Sequence, residues 1–200
     1  MKSLRGIVVA ATVIAGAMVA IPSDVSAQKQ VAERPQMKVG DKWKMERRDG
    51  FTKVVQLNEE TIVTGVTPSQ TEITIDNQPS QMTMDLSILE NSRFKYEAPY
   101  DFLKFPLEVG KEWSFKPKWK NKASGQSFSG SFDAEVKEFE KIKTTAGEFD
   151  AFKVEAKGYL ASSVRVTYWY APATKSIVKM VWQDRKNDFI AELTEYSLSP

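Results

Sequence analysis

From Gly40 onward, apolar and polar positions alternate with a period of two. Trp43 and Met45 alternate with Lys42, Lys44 and Glu46. Ile73 and Ile75 alternate with Glu72, Thr74 and Asp76. Met82, Met84 and Leu86 alternate with Gln81, Thr83 and Asp85. Val164, Val166, Tyr168 and Tyr170 alternate with Ser163, Arg165, Thr167 and Trp169, and Phe128 shares its parity with Phe132 and Ala134. Each stretch predicts a strand with one apolar and one polar face. Turn chemistry separates the stretches at Asp49-Gly50, Thr67-Pro68-Ser69, Asp76-Asn77, Ser124-Gly125, Ala146-Gly147, Ala171-Pro172 and Lys186-Asn187-Asp188. The spacing is that of successive hairpins, so the chain reads as an all-β, antiparallel protein. A short helix is expected over 85–93. Residues 137–143 fit either a helix or a strand with a bulge. Phe149 and Phe152 differ in parity, which predicts a bulge near Asp150-Ala151.

The alternation is absent before residue 28. Lys2 and Arg5 precede an uncharged apolar run from Gly6 to Ile21, Pro22 breaks it, and Val25-Ser26-Ala27 supplies small residues for cleavage. Residues 1–27 therefore read as a secretory signal peptide, with no stable transmembrane anchor after cleavage. No Cys follows, which closes the bacterial lipoprotein route. Residues 28–38 read as a flexible lead-in and 39–200 as a single β domain. A chain of this size buries enough surface for one ordinary core without disulfides. The expected location is the periplasm, or the exterior by secretion.

Composition removes several chemistries. The chain holds 28 Lys and Arg against 26 Asp and Glu, with no His and no Cys. Disulfides, iron–sulfur clusters, Cys nucleophiles and Ser-His-Asp triads are excluded, and no metal site or cofactor is expected. The near balance of charge gives no field suited to nucleic acid. One internal echo stands out: Val39-Gly40-Asp41-Lys42-Trp43 against Val109-Gly110-Lys111-Glu112-Trp113. It reads either as two meander halves, 39–108 and 109–200, or as one strand-entry solution used twice.

A family resemblance rests on four motifs in order: Phe105-Pro106-Leu107-Glu108-Val109-Gly110-Lys111-Glu112-Trp113, Thr145-Ala146-Gly147-Glu148-Phe149-Asp150-Ala151-Phe152-Lys153-Val154, Trp169-Tyr170-Ala171-Pro172 and Ile177-Val178-Lys179. The series resembles the exported proteobacterial β-rich proteins labelled TapB-like, over 39–198. The resemblance implies a strongly curved antiparallel sheet or partly open barrel in the cell envelope. It implies no reaction and no catalytic residue.

Two constellations carry candidate chemistry. Around Pro117, Trp113, Phe115 and Trp119 fall on one strand face, with Lys116, Lys118, Lys120 and Lys122 on the other. The lysines read either as edge protection or as a strip for anionic envelope material. Pro117 predicts an edge strand or a bulge. The second constellation is an inner face of Trp43, Trp113, Phe115, Trp119, Tyr168, Trp182, Met82 and Met84, which reads either as a core or as a lining for an apolar ligand. The carboxylate pairs Glu59/Glu60, Asp133/Glu135, Glu138/Glu140 and Glu192/Glu195 are the remaining catalytic option, and nothing gives them a cleft. The reading is a non-catalytic, exported envelope module holding an apolar or amphiphilic ligand on a concave sheet. A protein–protein adaptor using an edge strand is the alternative, followed by a hydrolase of envelope polymers. The expected partners are a lipid-like or anionic envelope ligand, or a protein.

Overall fold

The computed structural model describes residues 30–200 other than Lys186. The expected signal peptide lies outside them. In chain order the strands are β1 (Val31–Ala32), β2 (Lys42–Asp49), β3 (Val55–Val66), β4 (Gln70–Ile75), β5 (Gln78–Thr83), β6 (Ile88–Glu90), β7 (Phe94–Ala98), β8 (Leu107–Glu108), β9 (Glu112–Phe115), β10 (Lys118–Asn121), β11 (Ser127–Ser129), β12 (Ser131–Thr144), β13 (Gly147–Tyr159), β14 (Ser163–Ala171), β15 (Ser176–Gln183) and β16 (Phe189–Ser197). A short 3-10 turn at Pro172–Thr174 joins β14 to β15. The alternation thus predicts the class correctly: the chain is all-β, and its strands pair antiparallel.

Fourteen strands form one sheet in the order β11-β10-β7-β6-β5-β4-β3-β2-β16-β15-β14-β13-β12-β9, and β1 pairs separately with β8. The ladder has two ends, β11 and β9, so hydrogen bonds do not close it into a barrel. Both ends nevertheless belong to one bent hairpin. Its first arm is β9 and β10, and its second is β11 and β12. Near one end β9 pairs with β12, placing Phe115 opposite Phe132. Beyond the bend β10 pairs with β11 and with β7, placing Trp119 between Phe128 and Tyr96. The bend falls at Lys116-Pro117 on one arm and Gly130 on the other, and the Gly130 amide donates to the Pro117 carbonyl at 3.0 Å. Pro117 has no N–H and cannot continue the ladder, so the strand breaks there.

The curled sheet encloses two apolar clusters. One gathers Leu103, Leu107, Trp113, Phe115, Phe132, Val154, Val166, Tyr168 and Tyr170, with Phe115 and Phe132 stacked at 5.1 Å. The other gathers Met37, Trp43, Val63, Ile73, Met82, Phe149, Val178 and Leu193. The lead-in is not a free tail over its described part. Ala32 and Met37 are buried, and β1 pairs with β8, because these apolar side chains pack into the two clusters.

Three local expectations meet different outcomes. No helix forms over 85–93: that stretch is a turn followed by β6, and Ser87 and the half-buried Ile88 face the interior rather than one helical side. Residues 137–143 are strand, with the bulge at Lys137, where the register shifts between Val136 and Glu138. No bulge occurs at Asp150-Ala151. There the strand buries both of its faces, and Ala151 and Phe152 belong to different clusters. The second face is covered because the β12–β13 tip folds over β16: the Ala146 amide donates to Leu193 O at 3.1 Å, and the Thr145 amide to Glu192 Oε1 at 2.8 Å.

The sequence echo has a local structural cause. Gly40 N donates to Val63 O at 2.9 Å, and Val63 N returns a bond to Asp41 O at 2.9 Å. Gly110 N donates to Val136 O at 2.8 Å, and Val136 N returns a bond to Lys111 O at 2.9 Å. The glycines have φ of +91° and +86°, which a side chain resists. Each turn then aims a Trp inward, and the Trp43 and Trp113 indoles donate to the carbonyls of Thr174 and Asp101. An added Cβ at Gly110 meets nothing within 4 Å, whereas at Gly40 it comes 2.8 Å from Ser199 Oγ. Gly110→Ala is therefore expected to lose about 1 kcal/mol of stability from backbone strain alone, and Gly40→Ala more. Urea unfolding midpoints measure both, and a Gly110→Ala midpoint equal to wild type would contradict the turn geometry.

Candidate functional site

The concavity contains an apolar groove in two adjoining chambers. The first, of about 150 Å³, is lined by Trp43, Met45, Ile73 and Met82 from β2, β4 and β5, with Lys175 and Ser176 where the 3-10 turn runs into β15. The second, of about 220 Å³, is lined by Asp85, Ser87, Tyr96, Tyr100 and Phe102. Leu86, Ile88, Leu103 and Ile177 border both. An apolar lining with a few polar groups is the usual composition of a small-molecule site.

The wall between the chambers is a turn held in an unusual backbone. Leu86 has φ of +65°, which a non-glycine residue adopts only at a cost. Several bonds hold it there. The Leu86 amide donates to Thr83 O at 3.0 Å, and the Ser87 amide to Thr83 Oγ1 at 3.1 Å. Ser87 Oγ donates to Asp101 Oδ1 at 3.1 Å, and Arg34 Nε to Asp85 Oδ1 at 2.6 Å. Burial pushes the Asp101 carboxyl up, although the Ser87 bond opposes this. The facing segment, residues 99–106, is tied down by two ring donors. Trp113 Nε1 donates to Asp101 O at 2.8 Å, and the buried Tyr168 hydroxyl donates to Phe102 O.

Lys175 is the cation lining the groove. Its Nζ donates to Asp41 Oδ2 at 2.8 Å, and Asp41 is fully buried. Burial opposes the Asp41 charge. Hydrogen bonds from Lys175 Nζ and from the Ser199 and Lys38 amides outweigh that and hold its carboxyl below the usual range. An ammonium has three N–H donors, so Lys175 retains capacity for a ligand.

Of the eight residues singled out for the inner face, two line the groove: Trp43 and Met82. Trp113, Phe115 and Tyr168 are core side chains. Trp119 stacks on Phe128 at 5.5 Å, and Trp182 stacks on Phe189 at 5.8 Å. Met84 is not on the β5 face at all, because β5 ends at Thr83 and the chain turns there. Residues missed in the alternation include Leu103, Tyr100 and Phe102. They sit in an irregular segment, where period-two reading has no purchase; their apolar density was the available signal.

The lysine strip adopts the expected alternation: Trp113, Phe115 and Pro117 are buried, whereas Lys116, Lys118, Lys120 and Lys122 are exposed. Lys122 pairs with Glu90 at 2.8 Å, and Lys120 lies directly opposite Lys95. The strip is on the opposite strand face from the groove, so the lysines do not approach a ligand held inside. The carboxylate pairs are mostly on outer strand faces with cation partners: Glu138 and Glu140 near Lys153, Glu192 near Lys179, and Glu195 near Lys44. Glu59 is half-buried, and burial reinforced by Asp76 pushes its carboxyl up while Arg47 opposes. Among the described residues no group of three metal-ligating side chains is placed to hold an ion.

The chain matches no protein-family model and no curated protein sequence. Among solved structures it resembles a Bacteroides fragilis protein named as exported with a YmcC-like fold, at TM-score 0.56 and 15% identity, covering 83% of this chain and 99% of that one. It also resembles a protein from Parabacteroides distasonis named as a lipoprotein, at TM-score 0.52 and 14% identity, covering 84% and 100%. These likenesses establish the fold. They are compatible with the TapB-like resemblance but do not supply that family name. Among the described residues no helix is long and apolar enough to cross a membrane.

Asp41 also sets an acid limit on the site. Its folded pKa lies below its unfolded value, so its contribution is complete above about pH 4 and fades as pH falls through the folded pKa. Asp41→Asn leaves Lys175 without its counter-charge and is expected to cost about 2–3 kcal/mol at pH 7. The deficit should shrink toward pH 3. Urea midpoints of both proteins between pH 7 and pH 3 test this, and a pH-independent deficit would refute it.

Proposed function

We propose that the protein is a non-catalytic, exported module of the cell envelope, periplasmic or secreted, that holds an apolar or amphiphilic molecule in the groove between β2, β5 and the 99–106 segment. The observation that carries this reading is the apolar lining of the groove, with Lys175 and Ser176 at its polar margin. Burial of the ligand's apolar part supplies the affinity, and Lys175 orients its polar end. Met45 and Met82 suit the lining because unbranched thioethers repack around ligands of varied shape. The exposed lysines act separately, protecting the bent hairpin from strand addition. The edge-strand adaptor is supported by β9, whose outer side pairs with no strand of the sheet.

Native mass spectrometry of the gently purified exported protein tests the reading. A retained adduct of lipid-like mass, released on denaturation, is expected. Ile177 borders both chambers, so Ile177→Trp should fill the groove and reduce binding of the apolar dye N-phenyl-1-naphthylamine at least about tenfold. A bare mass together with no dye binding by the folded wild-type protein would overturn the proposal and turn attention to a protein partner.

A further inference from the structure

The β2–β3 hairpin ends in a tip that the groove does not use. Phe51 is 92% exposed there, Val54 64%, Val55 45% and Leu57 37%. Single exposed apolar residues are ordinary, but a contiguous group marks a contact surface. The tip is an ordered turn. Asp49 Oδ1 accepts from the Phe51 amide at 3.0 Å, the Thr52 amide at 2.7 Å and the Thr52 hydroxyl at 2.9 Å. Asp49 Oδ2 accepts from Gln56 Nε2 at 3.2 Å, and the Gly50 amide donates to Asp188 O at 2.8 Å, fastening the tip to the β15–β16 turn. The acid therefore faces into the turn while the apolar side chains face out.

Charge frames this tip. Arg48, Lys53 and Arg185 are exposed around it. The acids of the same end are engaged in the turns: Asp49 as above, Asp188 by the Asp184 amide, and Asp184 by Trp182 Nε1 and the Asn187 amide. Arg48 also meets Glu46, and Lys53 Nζ reaches Gly50 O. Arg47 is turned inward over the Phe189 ring at 5.1 Å.

We propose that the tip docks the protein on an anionic phospholipid bilayer, with Phe51 and Val54 entering the interfacial region and Arg48, Lys53 and Arg185 among the head groups. The patch exposes on the order of 400 Å² of side chain, about half of what each partner of a stable protein complex contributes. A depression beside it is lined by Arg47, Asp49, Asp184 and Asp188 among others, and Phe51 and Val54 stand outside that lining. A bilayer interface accepts a protruding apolar tip without shape matching, and favours an aromatic ring at that depth with basic groups above it. The proposal is independent of the groove.

Flotation of the exported full-length protein with phosphatidylglycerol/phosphatidylethanolamine vesicles tests it, with phosphatidylcholine vesicles as the neutral control. Wild-type protein is expected to float with the anionic vesicles and to lose most binding at high salt. Phe51→Ser combined with Val54→Ser should lower partitioning at least about tenfold, with an unchanged urea midpoint because both side chains are exposed. Lys53→Glu should lower it several-fold. No flotation of the wild-type protein would overturn the proposal, as would equal flotation of the double variant. Concentration-dependent self-association abolished by the double variant, without vesicle binding, would also overturn it and assign the tip to a second copy of the chain.

Discussion

Everything inside this molecule depends on one bend. At Pro117 and Gly130 a single hairpin leaves one end of the fourteen-stranded ladder and joins the other. Hydrogen bonds alone would leave an open, twisted sheet with no interior. The bend requires a residue that cannot extend the ladder on one arm and a residue without a side chain on the other. An added Cβ at Gly130 would fall 2.1 Å from Leu160 Cδ2 and 3.0 Å from Tyr159 O, so the close approach of the bend to the β13–β14 turn rests on that glycine. Phe115, Phe132, Trp119 and Phe128 form stacked pairs on either side of the corner, and these contacts carry the apolar face around it.

Given that curl, the groove follows from imperfect filling. The two clusters meet at Leu86, which packs against both, and neither supplies enough volume to close the space between them. Leu86 sits in a left-handed backbone held by hydrogen bonds from its neighbours rather than by its own preference. Strain of this kind persists where surrounding structure over-determines it, and here it keeps the divider between the chambers in place. The 99–106 segment forms the opposing wall. Its carbonyls are held by a buried tyrosine hydroxyl and an indole N–H, which explains why a segment with little regular structure is so well anchored.

The strands were legible where one face is buried and the other is not, as in β4, β9 and β14, because that imposes a period of two. Tyr168 and Val166 on β14 are the clearest instances. The lysine strip was legible for the same reason. Reading failed where that condition lapses. Ala151 and Phe152 are adjacent and both buried, because two clusters meet across that strand, and this mimicked a bulge. Met84 continued the alternation of β5 in sequence after the chain had already turned. Ala32 and Met37 lie in a polar lead-in whose few apolar residues are the ones that pack. The groove itself was out of reach: its wall comes from turns and irregular chain, and alternation does not distinguish a filled interior from a vacant one. Phe51 was overlooked because an exposed aromatic leaves no periodic trace.

The pairing of β2 with β16 has a consequence for how the protein comes into being. Arg47 meets Ala191, and Trp43 meets Tyr196, so a strand from near the start of the domain sits at the middle of the sheet beside β16, the last of the described strands. Neighbouring hairpins such as β12–β13 close locally and form early, but the seam between β2 and β16 brings together residues about as far apart as the domain allows. A chain emerging from the ribosome cannot make that seam until β16 is free. Until then the edges of β2 and β15 stay uncovered, and only the bent hairpin links the two groups of strands. That interval leaves both edges open to binding by chaperones before the sheet is sealed.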